Sequence, residues 1–150
     1  MGYTAFKLRN GSKQKGVVMR HEESALQKSC VRWFAYQFPK YHKLLFAIPN
    51  GGARRKSEAA IMKAEGVRAG VADMILLIPR RGYGSLCCEA KIKGSYQSKE
   101  QKEWQKEAED GGNCYFVFRT IEEFIAKVYW YLDHAPKSKE AEFEELIAKK

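Results

Sequence analysis

The sequence predicts an α/β fold with a mixed central sheet flanked by helices, and three observations carry that prediction. Apolar residues recur at helical spacing over long stretches. Short apolar runs bounded by glycine or proline fall between those stretches. Two of the runs are joined by the basic, Gly-rich loop Arg80-Arg81-Gly82-Tyr83-Gly84, which makes them an antiparallel hairpin. The order along the chain reads α, β, α, β, β, α, β, α.

Residues 1–19 are rich in Lys, Gly, Ser and Asn with little periodicity, and are expected to form a flexible basic N-terminal arm. A single domain is expected over 20–150. From Arg20 to Phe38 the residues Leu26, Cys30, Val31, Trp33, Phe34 and Phe38 recur at helical spacing, and Pro39 stops the helix. Leu44 to Ile48 reads as a short strand ending in the turn Pro49-Asn50-Gly51-Gly52. The basic cluster Arg54, Arg55 and Lys56 follows, and then a helix from Ser57 to Glu65 closed by Gly66.

The central hairpin pairs a strand opened by Asp73 with one over Leu86 to Ile92. Ser98 and Gln101 form a capping box that opens a helix running through Trp104 and Ala108 to Gly111-Gly112. Cys114 to Phe118 is another apolar strand. Thr120 and Glu123 form a second capping box, opening a helix whose Phe124, Val128, Trp130, Tyr131 and Leu132 are expected in the core. After Pro136, Ser138 starts an acidic C-terminal helix. Its Phe143, Leu146 and Ile147 need a surface to cover them, on this domain or on a second subunit.

Composition bounds the function. The 150 residues, 45% hydrophobic and 30% charged, suit one globular domain with a real core. No apolar run approaches the roughly 20 residues that cross a bilayer, and no signal-peptide pattern is visible, so a cytoplasmic location without membrane partners is expected. Gly2 is followed by Phe6 where a myristoylation site needs Ser or Thr. Lys and Arg outnumber acids 27 to 18, a net charge of +9 that favours a polyanionic partner, nucleic acid first. Cys30, Cys87, Cys88 and Cys114 show no metal spacing and read as buried reduced thiols. His21, His42 and His134 form no ligand pattern.

The chemistry-bearing residues cluster on the hairpin. Alternation along the second strand puts Glu89, Lys91 and Lys93 on one face, with Leu86, Cys88, Ala90 and Ile92 on the other. Glu89 and Lys91 alone could be a surface ion pair worth less than about 1 kcal/mol. However, Ile75 to Ile78 is an unbroken apolar run, as in a strand covered on both faces. Asp73 then lies at the mouth of a buried strand, where charge is costly unless it is paired or binds a metal.

These residues carry a resemblance. Gly66-xxx-Gly70-xx-Asp73, fifteen intervening residues and Glu89-x-Lys91 resemble the signature of the PD-(D/E)XK nuclease superfamily. With Ser98-xx-Gln101 and the upstream Glu23 and Gln27, the chain resembles the virus-type replication–repair nuclease (VRR-NUC) family over about residues 20 to 132. Ala72 stands where that family usually has proline, a position that shapes backbone and carries no chemistry.

The resemblance implies a restriction-endonuclease-like PD-(D/E)XK core. It also implies a metal-dependent, structure-selective DNA endonuclease that hydrolyses phosphodiester bonds in branched DNA. Short stand-alone phage and bacterial members of the family are associated with Holliday junction resolution in DNA repair. Two symmetric incisions call for a homodimer. Flap cleavage, a non-catalytic DNA-binding module and RNA as substrate are the alternatives.

By the same resemblance Asp73, Glu89, the carbonyl of Ala90 and Glu23 hold Mg²⁺ or Mn²⁺. Asp73, Glu89, Lys91, Glu23 and Gln101 form the catalytic set. Two carboxylates about 4 Å apart repel by about 4 kcal/mol at an effective dielectric near 20, which a divalent cation reverses. Lys91 is expected to position or help deprotonate the attacking water. Arg54, Arg55, Lys56, Lys93 and Lys99 are expected to contact DNA. On helix grounds alone, Glu23 and Gln27 are a solvated pair near a helix start. Gln101 already has a complete explanation as a cap, so its two roles compete for one side chain.

Overall fold

In the computed structural model, which describes residues 10–49 and 56–133, the sheet is built from β1 (Leu45–Ala47), β2 (Met74–Leu76), β3 (Leu86–Ala90) and β4 (Cys114–Phe118). The strands lie in that spatial order. β1 pairs antiparallel with β2 and β2 antiparallel with β3, while β3 and β4 run parallel. The connections explain the mixture. A tight turn can join only antiparallel neighbours, whereas the parallel pair needs a long crossover. Here the helix α3 (Lys99–Asp110) supplies it.

The hairpin turn is tighter than the loop read from the sequence. Arg80 and Tyr83 bridge, leaving Arg81 (φ 52°) and Gly82 (φ 82°) as the two left-handed residues that match strand twist. Arginine is unusual at such a φ, and tertiary contacts hold it there. Arg81 Nε donates to the carbonyl of Trp130 at 2.6 Å, and its guanidinium meets Asp133 at 2.5 Å. The same group lies 4.8 Å from the Trp130 ring centre. Trp130, expected in the core, is instead 41% exposed, with Lys127 Nζ 4.0 Å from its ring centre.

Two helices pack on one face of the sheet: α1 (Asn10–Gln37) and α4 (Ile121–Leu132). Cys30, Phe34 and Phe38 meet Met74, Leu86, Cys88, Phe118, Phe124 and Tyr131 there in the main core. The opposite face carries a smaller cluster of Ala72, Cys87 and Tyr115, with Trp104 of α3 against it. Every residue of β3 is therefore buried, and Cys87 and Cys88 go to opposite faces as alternation requires. All four cysteines are free and buried. Among the described residues no helix is long and apolar enough to cross a membrane.

Several boundaries differ from the sequence reading. α1 begins at Asn10, so residues 10–19, expected in the arm, continue the helix. No proline interrupts them, and extending a packed helix costs little beside nucleating one. Residues 1–9, the cluster Arg54 and Arg55, and the C-terminal helix expected from Ser138 lie outside the described residues, while Lys56 is the first residue of α2 (Lys56–Ala64). The apolar run is not covered on both faces throughout: the Leu77 amide still bonds the Leu44 carbonyl at 2.9 Å and Ile78 is buried, but Leu77 alternates to the face opposite the main core and is 55% exposed. β3 stops at Ala90 and the chain turns at Gly94 (φ 85°), so Lys93 is an exposed turn residue and not a third member of the Glu89 face. The second capping box is half formed. Thr120 accepts from the Glu123 amide at 3.2 Å, but Glu123 reaches back to the Arg119 amide at 2.6 Å.

Gly70 shows why the loop before Asp73 needs glycine. Its φ is +80°, and a Cβ there would meet the main-chain carbonyl of Glu100 and lie 2.9 Å from the Gln101 amide nitrogen. Neither is the movable end of a side chain. We predict that Gly70→Ala lowers the unfolding free energy, measured by urea titration, by about 1–3 kcal/mol or more, and that Gly82→Ala, with open space around it, costs less.

Candidate active site

β3 delivers Glu89 and the residue just past its end, Lys91, to the face covered by α3. Glu89 has no exposed surface and Lys91 is 7% exposed. Lys91 Nζ lies 2.8 Å from Glu89 Oε1. Asp73 precedes β2, and its Oδ2 accepts from the main-chain amide of Ala90 at 2.9 Å, which ties the two strands together at the site.

Gln101 also reaches Glu89. Its Nε2 donates to Glu89 Oε1, while its Oε1 accepts from the Ser98 amide at 2.9 Å and Ser98 Oγ accepts from the Gln101 amide at 3.2 Å. The expected competition between cap and site is absent, because the carboxamide has two ends: the oxygen closes the capping box and the nitrogen faces the carboxylate. The other side of Glu89 meets Tyr115, whose hydroxyl makes a long 3.5 Å hydrogen bond to Oε2. Sequence analysis missed Tyr115. Its alternation on β4 was a signal, but only the parallel register beside β3 shows that it faces Glu89.

Glu23 arrives from α1. Its Oε1 accepts from Ser95 Oγ at 2.7 Å, and Ser95 Oγ in turn contacts the amide and carbonyl of Ile92 at 3.1 Å. The neighbouring Glu22 is exposed. Gln27 lies further along α1, beside Lys28 and Val31. Lys93 and Lys99 are exposed on the rim, with Lys99 Nζ 3.7 Å from Glu103.

Electrostatics bind the acids into one unit. Burial, then the charge of Asp73, pushes the Glu89 carboxyl up to about 7 against the pull of Lys91 and the Asp73 amide. Burial also raises Asp73; the Ala90 amide and Lys91 oppose that, and Glu23 adds to it. Burial and the charge of Glu89 push the Tyr115 hydroxyl above its ordinary value.

Among the described residues no group of three or more His, Cys, Asp or Glu side chains converges to hold a metal ion. Glu23 is turned to Ser95, so the donor set is a pair of carboxylates and not a three-acid cage. That pair fits a hard divalent ion: its donors are oxygens, it repels itself, and burial makes its uncompensated charge costly.

Among solved structures the chain is similar to a protein described as a VRR_NUC domain protein. The TM-score is 0.64 at 29% sequence identity, covering 74% of this chain and 88% of that chain. No protein-family model and no curated protein matches.

A raised carboxyl has a definite sign in stability. Because folding lifts Glu89 from 4.5 to about 7, the folded state holds the extra proton in that window. Its contribution is complete below about 4.5 and is lost as pH rises through about 7. Without added metal, the wild type should therefore lose stability relative to Glu89→Gln between pH 4.5 and 7.5, by on the order of 3 kcal/mol. Mg²⁺ should raise the wild-type melting temperature more at pH 8 than at pH 5.5. Parallel pH profiles of the two proteins, or a metal effect equal at both pH values, contradict this account.

Proposed function

We propose that this chain, similar in fold and sequence to a VRR_NUC domain protein, is a metal-dependent, structure-selective endonuclease acting on branched DNA in the manner of a Holliday junction resolvase. The observation that carries the proposal is the constellation of the buried Glu89 and Lys91 with the half-buried Asp73, and Gln101 bonded to Glu89. An ordinary surface ion pair needs none of this shielding. The net charge of +9 supports a polyanionic substrate.

Each residue has a task that follows from its position. Asp73 and Glu89, with the carbonyl of Ala90 and with Glu23 nearby, would hold Mg²⁺ or Mn²⁺. When bound, such an ion supplies Lewis acidity toward the phosphoryl oxygens and makes water a better nucleophile at neutral pH. Gln101 and Tyr115 fix the Glu89 carboxylate on both sides, so little reorganisation accompanies reaction. Lys91 presents its ammonium 2.8 Å from Glu89, where it orients an attacking water and stabilises charge gathering on the pentacoordinate phosphorus. Ser95 holds the half-buried Glu23 through a hydrogen bond, and Glu23 is close enough to add its charge to that of Asp73.

Phosphate contacts outside the centre fall to Lys93, Lys99 and the segment of Arg54, Arg55 and Lys56. Paired incision of a four-way junction places two copies of the chain on one substrate, hence a homodimer.

Incubation with labelled linear, flap and four-way DNA in Mg²⁺, Mn²⁺ or EDTA tests this directly, with light scattering for the dimer. Cleavage is expected on branched substrates in either metal and none in EDTA. Lys91→Ala should bind DNA as the wild type does and cut at least about a hundredfold more slowly. Binding without nicking in both metals identifies a non-catalytic module instead, and equal cutting of linear duplex removes structure selectivity.

A further inference from the structure

The segment from Ile92 to Ser98 joins Lys91 to the cap of α3, and it is clamped from both sides. Ser95 Oγ bonds Glu23 on the active-site side. On the other side Arg119 Nη1 donates to the carbonyls of Ile92 at 2.7 Å and Ser95 at 3.0 Å. Tyr96 and Gln97 lie between these anchors and the cap, and Tyr96 is 80% exposed. Burial of an apolar core does not explain a large aromatic held out in water on a clamped segment beside a catalytic centre.

Tyr96 borders a cleft of ≈ 440 Å³ lined also by Gln97, Lys102, Val117, Arg119 and Glu123. That volume lies in the range of about 300–1,000 Å³ that accommodates one small-molecule-sized group. The Arg119 guanidinium sits 5.8 Å from the Tyr96 ring centre, and Lys102 adds a second cation. The acid, Glu123, is drawn to the Arg119 main-chain amide at 2.6 Å. The cleft connects to the catalytic carboxylate: Gln97 Nε2 donates to the Tyr115 hydroxyl at 3.3 Å, which in turn contacts Glu89.

An aromatic platform backed by two cations suits a nucleobase attached to its phosphate. Stacking on an exposed ring requires a base that is not already stacked in duplex. We propose that this cleft is a stacking subsite for one unpaired nucleotide flanking the scissile phosphate, with Tyr96 as platform and Lys102 and Arg119 as its positive wall. The proposal rests on the nuclease reading and deepens it: flaps and single-stranded arms offer unpaired nucleotides that linear duplex lacks, and a fully paired four-way junction offers them only where pairs open at the branch point. Tyr96 is a binding residue in this scheme and takes no part in bond breaking.

The test uses the full chain in EDTA, titrated into a fluorescent 2-aminopurine single strand and into the matching duplex. Wild type and Tyr96→Phe should quench the single strand's probe. Tyr96→Leu should lose the quenching and bind the single strand about five- to a hundredfold more weakly, with duplex binding unchanged. Its exposure means the substitution should leave the melting temperature alone, which is checked in parallel. Equal single-strand affinity and quenching in Tyr96→Leu and wild type overturn the subsite, as does an equal loss on duplex. Cleavage of branched DNA by the wild type in Mg²⁺ is scored separately. If the wild type cuts while Tyr96→Leu binds and cuts equally well, the subsite fails and the nuclease reading stands. Tyr96-dependent binding without any cutting leaves the subsite and removes the enzyme.

Discussion

Glu89 sits on the central buried strand with no exposed surface, and an ionised carboxylate in such a place costs several kcal/mol unless charge and hydrogen bonds compensate it. Its surroundings answer that cost. Lys91 sets an ammonium against one oxygen, Gln101 donates an amide hydrogen to the same oxygen, and Tyr115 offers its hydroxyl to the other. Asp73 works in the opposite sense and raises the Glu89 carboxyl. The centre is therefore satisfied but under tension, with two neighbouring carboxylates whose mutual repulsion is only partly offset. The rest of the fold can be understood as the scaffold that keeps these groups together and dry.

That scaffold acts through close approach of backbone to backbone. The loop from Gly66 to Asp73 can touch the first turn of α3 only because Gly70 has no Cβ. The capping box then sets the rotation of α3 and the direction of the Gln101 carboxamide. One side chain thus closes a helix end and braces the buried acid Glu89, so helix stability and the geometry of the candidate site are coupled. On the far face the aromatic contacts among Trp33, Phe124 and Tyr129 join α1 to α4, which places Glu23 of α1 over the segment that carries Ser95.

Much of the fold was legible because its signals are local. The hairpin, the crossover helix with its Ser98 cap, and the alternation that sends Cys87 and Cys88 to opposite faces follow from turn chemistry and side-chain period. Misreadings occurred where a neighbour decided. Leu77 belongs to an apolar run, yet it alternates to the face opposite the main core and is left exposed there. Trp130 has the spacing of a core residue, but Arg81 and Lys127 cover it at the surface. The start of α1 was misplaced because polar residues carry no periodicity to mark a helix that extends from a packed segment.

The sequence by itself determined the residue types, their order and the two-residue spacing of Glu89 and Lys91, because period, capping and breaker chemistry act within a few residues. Only the tertiary structure decided that Gln101 serves both partners, that Tyr115 stands against Glu89, that Glu23 turns to Ser95, and that Tyr96 is held out beside a cationic cleft. Those outcomes depend on strand register, helix rotation and desolvation between segments far apart in the chain, and no local pattern encodes them.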